Sequence, residues 1–158
     1  MIYNNISEFA QILTPVKALV GLDLGTKTIG VAVSDHLGCV ATPLETIKRT
    51  KFTTDAERLI KICRARDVGA LILGLPRNMD GSEGPRAQST RAFARNLSAK
   101  ISLPLTFWDE RLSTVAAEKA LLEADTTRKR RSEVIDHVAA SYILQGALDR
   151  LGYLKTHE

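Results

Sequence analysis

The amino-acid sequence predicts an α/β domain. Three β-like segments come first, and the apolar spacing then alternates between helix-like and strand-like, in the order β-β-β-α-β-α-β-α-α. Ala70–Leu73 is short and wholly apolar, as expected of a strand covered on both faces. This order predicts a five-stranded mixed sheet, in which an antiparallel meander is continued by two parallel strands and helices pack on both faces.

The first part of the chain predicts a helix and then the meander. Apolar residues from Ile6 to Leu13 have the spacing of one helical face, and Pro15 follows them. We therefore expect residues 1–16 to form a short N-terminal extension and residues 17–158 to form a single domain. The meander is predicted from three segments: Ala18–Leu24, Ile29–Ser34 and about Val40–Ile47.

Caps and chain breakers delimit the later elements. Thr54 and Glu57 have capping-box spacing and predict a helix that ends near Asp67. The Gly- and Pro-rich loop Gly74–Pro85 leads into a helix that ends before Pro104. The last predicted elements are a strand at Leu105–Trp108 and two helices capped by Ser113 and Ser132.

Composition bounds the class of protein. The 158 residues are 44% hydrophobic and 25% charged, which is typical of a soluble globular domain, and no apolar stretch approaches the length of about 18 residues that a membrane span needs. The net charge of +4 is compatible with a polyanionic partner without establishing one. The N-terminus lacks the features of a secretory signal, and Cys39 and Cys63 form no CxxC, so we expect a cytoplasmic protein with two buried, reduced thiols.

Asp23 is the most informative single residue, because an acid in an apolar strand is costly to bury unless a metal, a basic partner or an edge position compensates it. The Gly25–Thr28 segment that follows can present backbone N–H groups to a phosphate. Residues 21–28 approach the nucleotide P-loop pattern, but a P-loop opens a helix and a strand-like segment follows here.

Four blocks of the sequence together resemble the YqgF/RuvX family of pre-16S rRNA nucleases, whose members are also described as Holliday-junction-resolvase-like. They occur in the family's order between about residues 18 and 150, and four spaced blocks are far more specific than one. The blocks are Gly21–Ala32, Leu73–Gly84, Asp109–Thr114 and Asp136–Ala140.

The resemblance implies an RNase H-like fold with a carboxylate site for divalent metal. Carried over block by block, the catalytic and metal-binding residues are Asp23, Glu110 and Asp136, which would hold Mg²⁺ or Mn²⁺. Two such ions would activate water and stabilise the leaving oxygen of a phosphodiester. Asp109 is the alternative to Glu110, and an ion pair between Glu110 and Arg111 is the structural alternative for that acid. For Asp136 the alternative is a helix-dipole contact in the first turn after Ser132.

Several polar and basic residues are candidates for binding substrate phosphates. The alternatives are that Gly74–Pro85 is a plain connector and that the basic run Arg128–Arg131 is a solvated surface. The candidates are Thr26, Lys27, Arg77, Asn78, Arg111, Arg128, Lys129, Arg130 and Arg131.

The function implied by the resemblance is that of a metal-dependent endonuclease on structured nucleic acid, in processing of the 5′ end of pre-16S rRNA. The partners would be precursor rRNA, branched DNA or ribosomal particles, with no membrane and either a monomer or a dimer. The alternatives are a noncatalytic ribosome- or nucleic-acid-binding protein and a Holliday-junction-type DNA resolvase. Asp23–Thr26 also resembles the phosphate loop of sugar kinases and actin-like ATPases, but those proteins close two domains around a nucleotide and we expect only one.

Overall fold

Six strands form one mixed sheet in the computed structural model, which describes residues 1–112 and 128–156, with the side chains of 128–136 outside the description. The strands are β1 (Ile2–Tyr3), β2 (Ala18–Leu24), β3 (Thr28–Ser34), β4 (Ala41–Lys48), β5 (Val68–Leu75) and β6 (Leu105–Asp109). The helices are α1 (Ile6–Ile12), α2 (Phe52–Ala65), α3 (Pro85–Lys100), a 3₁₀ turn (Glu110–Leu112) and α4 (Arg128–Thr156).

The strand order in the sheet is β1-β6-β5-β2-β3-β4. Strands β2, β3 and β4 are the antiparallel meander, while β5 pairs parallel to β2 and β6 pairs parallel to β5. The predicted α/β class, the meander and its parallel continuation are therefore confirmed. The predicted count of five strands is wrong, because β1 adds a sixth strand parallel to β6.

The N-terminal residues complete the edge of the sheet. Ile2 pairs with Leu105, and the Thr106 hydroxyl donates to the Tyr3 carbonyl over 2.7 Å. Helix α1 then packs on α4 and buries Phe9 completely. A two-residue strand carries no alternating pattern, so only the pairing with β6 reveals it.

Helices cover both faces of the sheet, as the sequence predicts. On one face, side chains of α2 and α3 such as Leu59 and Phe93 pack with Leu71 of β5. On the other, Ile143 and Leu144 of α4 pack with Ile72. Burial of these apolar side chains stabilises the fold by roughly 1.5–3 kcal/mol for each residue. None of the described helices combines the length and apolar composition required to cross a bilayer.

Helix α2 begins earlier than predicted, so the proposed capping box is wrong. Thr54 lies inside the helix, whose N-cap residue, Lys51, makes no side-chain capping hydrogen bond. The acid of the first turn is Asp55, which is only 3% exposed. Its carboxylate accepts hydrogen bonds from the Thr50 backbone N–H at 3.2 Å and from the Thr50 hydroxyl at 3.3 Å. These bonds compensate the burial of the carboxylate.

Helix α4 also begins earlier than predicted. It starts at Arg128 instead of after Ser132, because Arg and Lys are good helix formers and nothing in the run breaks the helix. Asp136 therefore lies in the third turn, so a dipole contact in the first turn is not its role. The helix predicted to begin at Ser113 lies outside the described residues.

The two cysteines are both free thiols, but they lie in different environments. Cys63 is buried on α2, and burial raises the pKa of its thiol to about 11. Cys39 is exposed, which corrects the prediction that both are buried, because its backbone N–H is held in a surface turn by the Asp35 carboxylate at 2.8 Å.

Candidate active site

Asp23 lies near the carboxyl end of β2 and is 7% exposed. Side chains alternate along a strand, and its neighbours Leu22 and Leu24 face α2 and α3. Gly21 faces α4, since a Cβ there would lie 2.7 Å from the Cβ of Leu144. Asp23 is therefore on the α4 face of the sheet.

Glu110 lies over the adjacent strand on the same face. Its Oε1 is 2.7 Å from the position that a Cβ on Gly74 would take, and Ile143 of α4 is 2.6 Å from the same point. The register Leu22↔Leu73 makes Asp23 and Gly74 neighbours on β2 and β5. Adjacent strands are about 4.8 Å apart, so the structure brings the Glu110 carboxylate beside Asp23.

Gly74 makes room for this carboxylate, although it is not among the site residues that the sequence predicts. Any side chain at position 74 would occupy the space that Glu110 fills. A glycine inside an otherwise apolar strand is the signal that could have indicated a close approach there.

Asp109 has different surroundings from Glu110, although the two are adjacent in sequence. Its carboxylate accepts a 2.6 Å hydrogen bond from Nη2 of Arg111 and lies 3.8 Å from Arg77. The hydrogen bond from Arg111 lowers the pKa of Asp109, and the charges of Arg111 and Arg77 add to the effect. Arg111 thus pairs with Asp109, and the geometry favours Glu110 as the acid beside Asp23.

Helix α4 brings the backbone of position 136 to the level of Asp23. Nδ1 of His137 is 2.9 Å from the hydroxyl of Thr46, which pairs with Gly30 across β3 and β4. Gly30 in turn pairs with Asp23. The side chain of Asp136 lies outside the described part of the chain.

The donor chemistry of this site fits a divalent metal. Asp23 and Glu110 supply carboxylate oxygens, the hard ligands that Mg²⁺ and Mn²⁺ prefer, and Gly74 leaves the space that such ligands need. Among the residues whose side chains are described, no three His, Cys, Asp or Glu side chains are grouped closely enough to hold a metal. Asp136 is not among those residues.

The loop between β5 and α3 is ordered by its own polar contacts. Asn78 donates from its backbone N–H to the Ser82 carbonyl at 2.9 Å and from its amide to the Ser82 hydroxyl at 3.0 Å. Arg77 lies 3.5 Å from Glu83, which also pairs with Arg91. The hydrogen bond from Arg91 lowers the pKa of Glu83. Asn78 thus stabilises the loop through its bonds to Ser82, and Arg77 lies between the carboxylates of Glu83 and Asp109.

The other phosphate-binding candidates lie at two places. Thr26 and Lys27 are exposed in the turn between β2 and β3, which Gly25 closes by donating to the Thr28 carbonyl at 2.8 Å. Arg128–Arg131 form the start of α4, and their side chains lie outside the description.

The chain is similar to known proteins over most of its length. The family model described as "RuvX: Holliday junction resolvase" matches residues 17–150. A Ruegeria sp. (strain TM1040) protein named "Putative pre-16S rRNA nuclease" is 69% identical over 156 residues, covering 99% of each chain. A protein of the same name from Ruegeria pomeroyi is 72% identical over 151 residues, covering 96% of this chain and 98% of its own.

A solved structure shares the fold at low sequence identity. T. thermophilus RuvC in complex with a Holliday junction substrate superposes with a TM-score of 0.53 at 12% identity, covering 86% of this chain and 96% of that chain. This similarity supports the RNase H-like fold that the sequence resemblance implies.

Proposed function

This chain belongs to the RuvX family, described as Holliday junction resolvases, and from this membership we propose that it is a metal-dependent endonuclease that processes the 5′ end of pre-16S rRNA. The family description and the names of the relatives both describe phosphodiester-cleaving hydrolases of nucleic acid. As an enzyme of ribosome production it would act in the cytoplasm, on precursor rRNA alone or within a ribosomal particle.

The observation that carries this proposal is the Glu110 carboxylate over Gly74, beside Asp23. Glu110 reaches over β5 from the 3₁₀ turn after β6, and two carboxylates this close repel each other unless a cation lies between them. A bound Mg²⁺ or Mn²⁺ would supply activation of water and stabilisation of the leaving oxygen. We assign Asp23, Glu110 and Asp136 to hold it, with Asp136 contributed by α4 at the same level of the sheet.

The remaining candidate residues would bind the nucleic acid. Thr26 and Lys27 are exposed in the β2–β3 turn, three and four residues beyond Asp23, where they can contact phosphate oxygens. Arg77 and Arg111 pair with Asp109, and we propose that they orient the loop and share their remaining N–H donors with the substrate. Asn78 supports the loop through Ser82.

Cleavage of a four-way DNA junction is the second candidate function, which the family description favours. We propose precursor rRNA as the first substrate, because relatives that match nearly the whole chain are named as pre-16S rRNA nucleases. Both substrates offer phosphates and shape for recognition, so one assay must compare them.

The test is cleavage by the purified full chain of a labelled pre-16S rRNA fragment and of a four-way DNA junction, in Mn²⁺ and in EDTA. We expect cleavage of the RNA in Mn²⁺ alone. Asp23→Asn and Glu110→Gln are each expected to lower the rate by about 100-fold or more, since each removes a charge that holds the metal.

Asp67→Asn is the matched control, because Asp67 is exposed and pairs with Lys17 just before β5 and β2 begin, at the opposite end of these strands from the candidate site. It should cleave like the wild type. Wild-type turnover by a folded Asp23→Asn variant would refute the catalytic assignment, and preferential cleavage of the junction would favour the second function.

A further inference from the structure

A second polar pocket opens on the other side of the β2–β3 turn from Asp23. It lies between this turn and the first turns of α3. Its polar lining includes two arginines and two exposed hydroxyl side chains, Thr26, Arg49, Arg86 and Ser89. A third hydroxyl, that of buried Thr90, donates to the Arg86 carbonyl at 3.0 Å.

Each arginine is held to the turn by a hydrogen bond to a backbone carbonyl. Nη1 of Arg49 donates to the Gly25 carbonyl at 2.6 Å, and Nη2 of Arg86 donates to the Leu24 carbonyl at 3.3 Å. A guanidinium has five N–H donors in a planar fork, so most of the donors of each arginine are left for another acceptor.

Neither guanidinium is neutralised within the part of the chain that the structure describes. No carboxylate there lies within 4.0 Å of Arg49 or Arg86, whereas Arg58, Arg91 and Arg111 each have a carboxylate partner. Two uncompensated cations beside two hydroxyl groups form a site for an anion with several acceptor oxygens.

The chemistry of the pocket fits a phosphate group and offers little to a base. Phe93 is the aromatic residue in its lining, and the Arg49 guanidinium lies 5.5 Å above that ring, so the ring face is already covered. Without an exposed aromatic face the pocket lacks a surface on which a base could stack.

The pocket is close to the candidate active site along the chain. Thr26 is three residues beyond Asp23, so their Cα atoms are at most about 11 Å apart. One strand of a duplex advances about 3.4 Å along the helix axis for each nucleotide, so this distance corresponds to a few nucleotides. Exposed Lys27, Lys48 and Lys51 lie at the same end of the strands as the pocket and extend its positive charge.

We propose that the pocket formed by Thr26, Arg49, Arg86 and Ser89 binds a backbone phosphodiester of the substrate strand, a few nucleotides from the bond that is cleaved. This inference rests on the proposed nuclease function, and it assigns Arg49 and Arg86 to substrate binding. The bound phosphate would fix the register of the strand across Asp23 and Glu110.

The test measures binding without cleavage, so that it is independent of the catalytic proposal. Binding of a labelled pre-16S rRNA fragment and of a four-way DNA junction is followed by fluorescence anisotropy in EDTA, over a series of salt concentrations. For R49Q/R86Q we expect weaker binding of both probes and a plot of log K against log salt that is less steep by about 1.4 to 1.8, because two cations no longer neutralise phosphates.

R64Q/R66Q is the matched control, because it removes two exposed arginines at the end of α2, just before β5 begins. They lie at the opposite end of the strands from the pocket. We expect it to retain the wild-type slope. R49K/R86K keeps both charges and should recover most of the slope, which a merely structural role would not predict. If R49Q/R86Q fails to fold, R86Q alone should flatten the slope by about 0.7 to 0.9.

Three results would overturn the inference. The first is a folded R49Q/R86Q with the wild-type salt slope, and the second is an equal change of that slope in R64Q/R66Q. The third is tight binding of inorganic phosphate that R49Q/R86Q abolishes while binding of the RNA and DNA probes is unchanged. The last result would assign the pocket to a free phosphate. If the wild type binds both probes with the expected slopes but cleaves neither in Mn²⁺, the nuclease proposal fails and the binding result stands separately.

Discussion

At the scale of single residues, the site depends on a pair of complementary positions, Gly74 and Glu110. The 3₁₀ turn after β6 lets the Glu110 side chain reach back over β5, and the absence of a side chain at Gly74 leaves space for its carboxylate. Asp109, one residue earlier, is committed to Arg111. Adjacent acids thus have separate roles because the turn directs them to different neighbours.

We predict that Gly74→Ala displaces Glu110 and impairs metal binding. The new Cβ would lie 2.6 Å from Cδ1 of Ile143 and 2.7 Å from Oε1 of Glu110, so at least one of them must shift. Overpacking of this kind costs about 1–3 kcal/mol of unfolding free energy. We expect weaker Mn²⁺ binding by calorimetry and a cleavage rate lower by about tenfold or more.

Gly152→Ala is the control for this substitution, because a Cβ at that helical position meets nothing within 4 Å. It should leave Mn²⁺ affinity unchanged and slightly stabilise α4. Equal metal affinity in the wild type and in a folded Gly74→Ala variant would contradict the role given to Gly74.

At the scale of elements, α4 contributes both to the core and to the candidate site. Its later turns bury Ile143 and Leu144 against the sheet, while its start carries the basic run Arg128–Arg131 two turns before Asp136. Four adjacent cations this close in sequence to Asp136 are suited to holding backbone phosphates near the candidate site.

We predict that replacing Arg128, Lys129, Arg130 and Arg131 together by Ala weakens nucleic-acid binding without lowering stability. Affinity should fall similarly for different sequences, and the salt slope should flatten by up to about 0.7 to 0.9 for each phosphate that the run neutralises in the wild type. The cleavage rate at saturating substrate should not change. Anisotropy titrations and thermal unfolding measure the two effects, and an unchanged salt slope would mean that the run is a solvated surface.

At the scale of the whole molecule, the first residues close one edge of the sheet and one end of the core. β1 covers the edge of β6, where the Leu105 N–H donates to the Met1 carbonyl at 2.9 Å. Phe9 is fully buried with Leu148 in the cluster beneath α4, and its ring meets Tyr3 edge to face at 6.3 Å. Side chains of β1 and α1 thus pack against this core.

We predict that Phe9→Ala lowers the free energy of unfolding by about 3–5 kcal/mol, the usual cost of removing a buried phenyl ring. Ile12→Ala is the control on the same helix, because Ile12 is 41% exposed and should cost far less. Urea unfolding of both variants is the measurement. Equal, small losses would indicate that the first helix contributes little to the stability of the domain.

The sequence by itself determined the elements whose patterns are local. The meander and β6 lie within one residue of their predicted bounds, β5 is two residues longer at each end than predicted, and α3 lies between the predicted loop and Pro104. These elements are predictable because strand and helix periods and Gly or Pro breakers act over short distances. Asp23 also stands out locally, as an acid in an apolar strand. The family resemblance extended this to the RNase H-like fold and to the carboxylates.

Only the tertiary structure decided which distant residues meet. β1 exists because β6 offers an edge, and Glu110 lies beside Asp23 because the β2–β5 register places Gly74 between them. Arg49 and Arg86 converge on one turn although 37 residues separate them. Such contacts depend on sheet order and side-chain packing, and no local period along the chain encodes them.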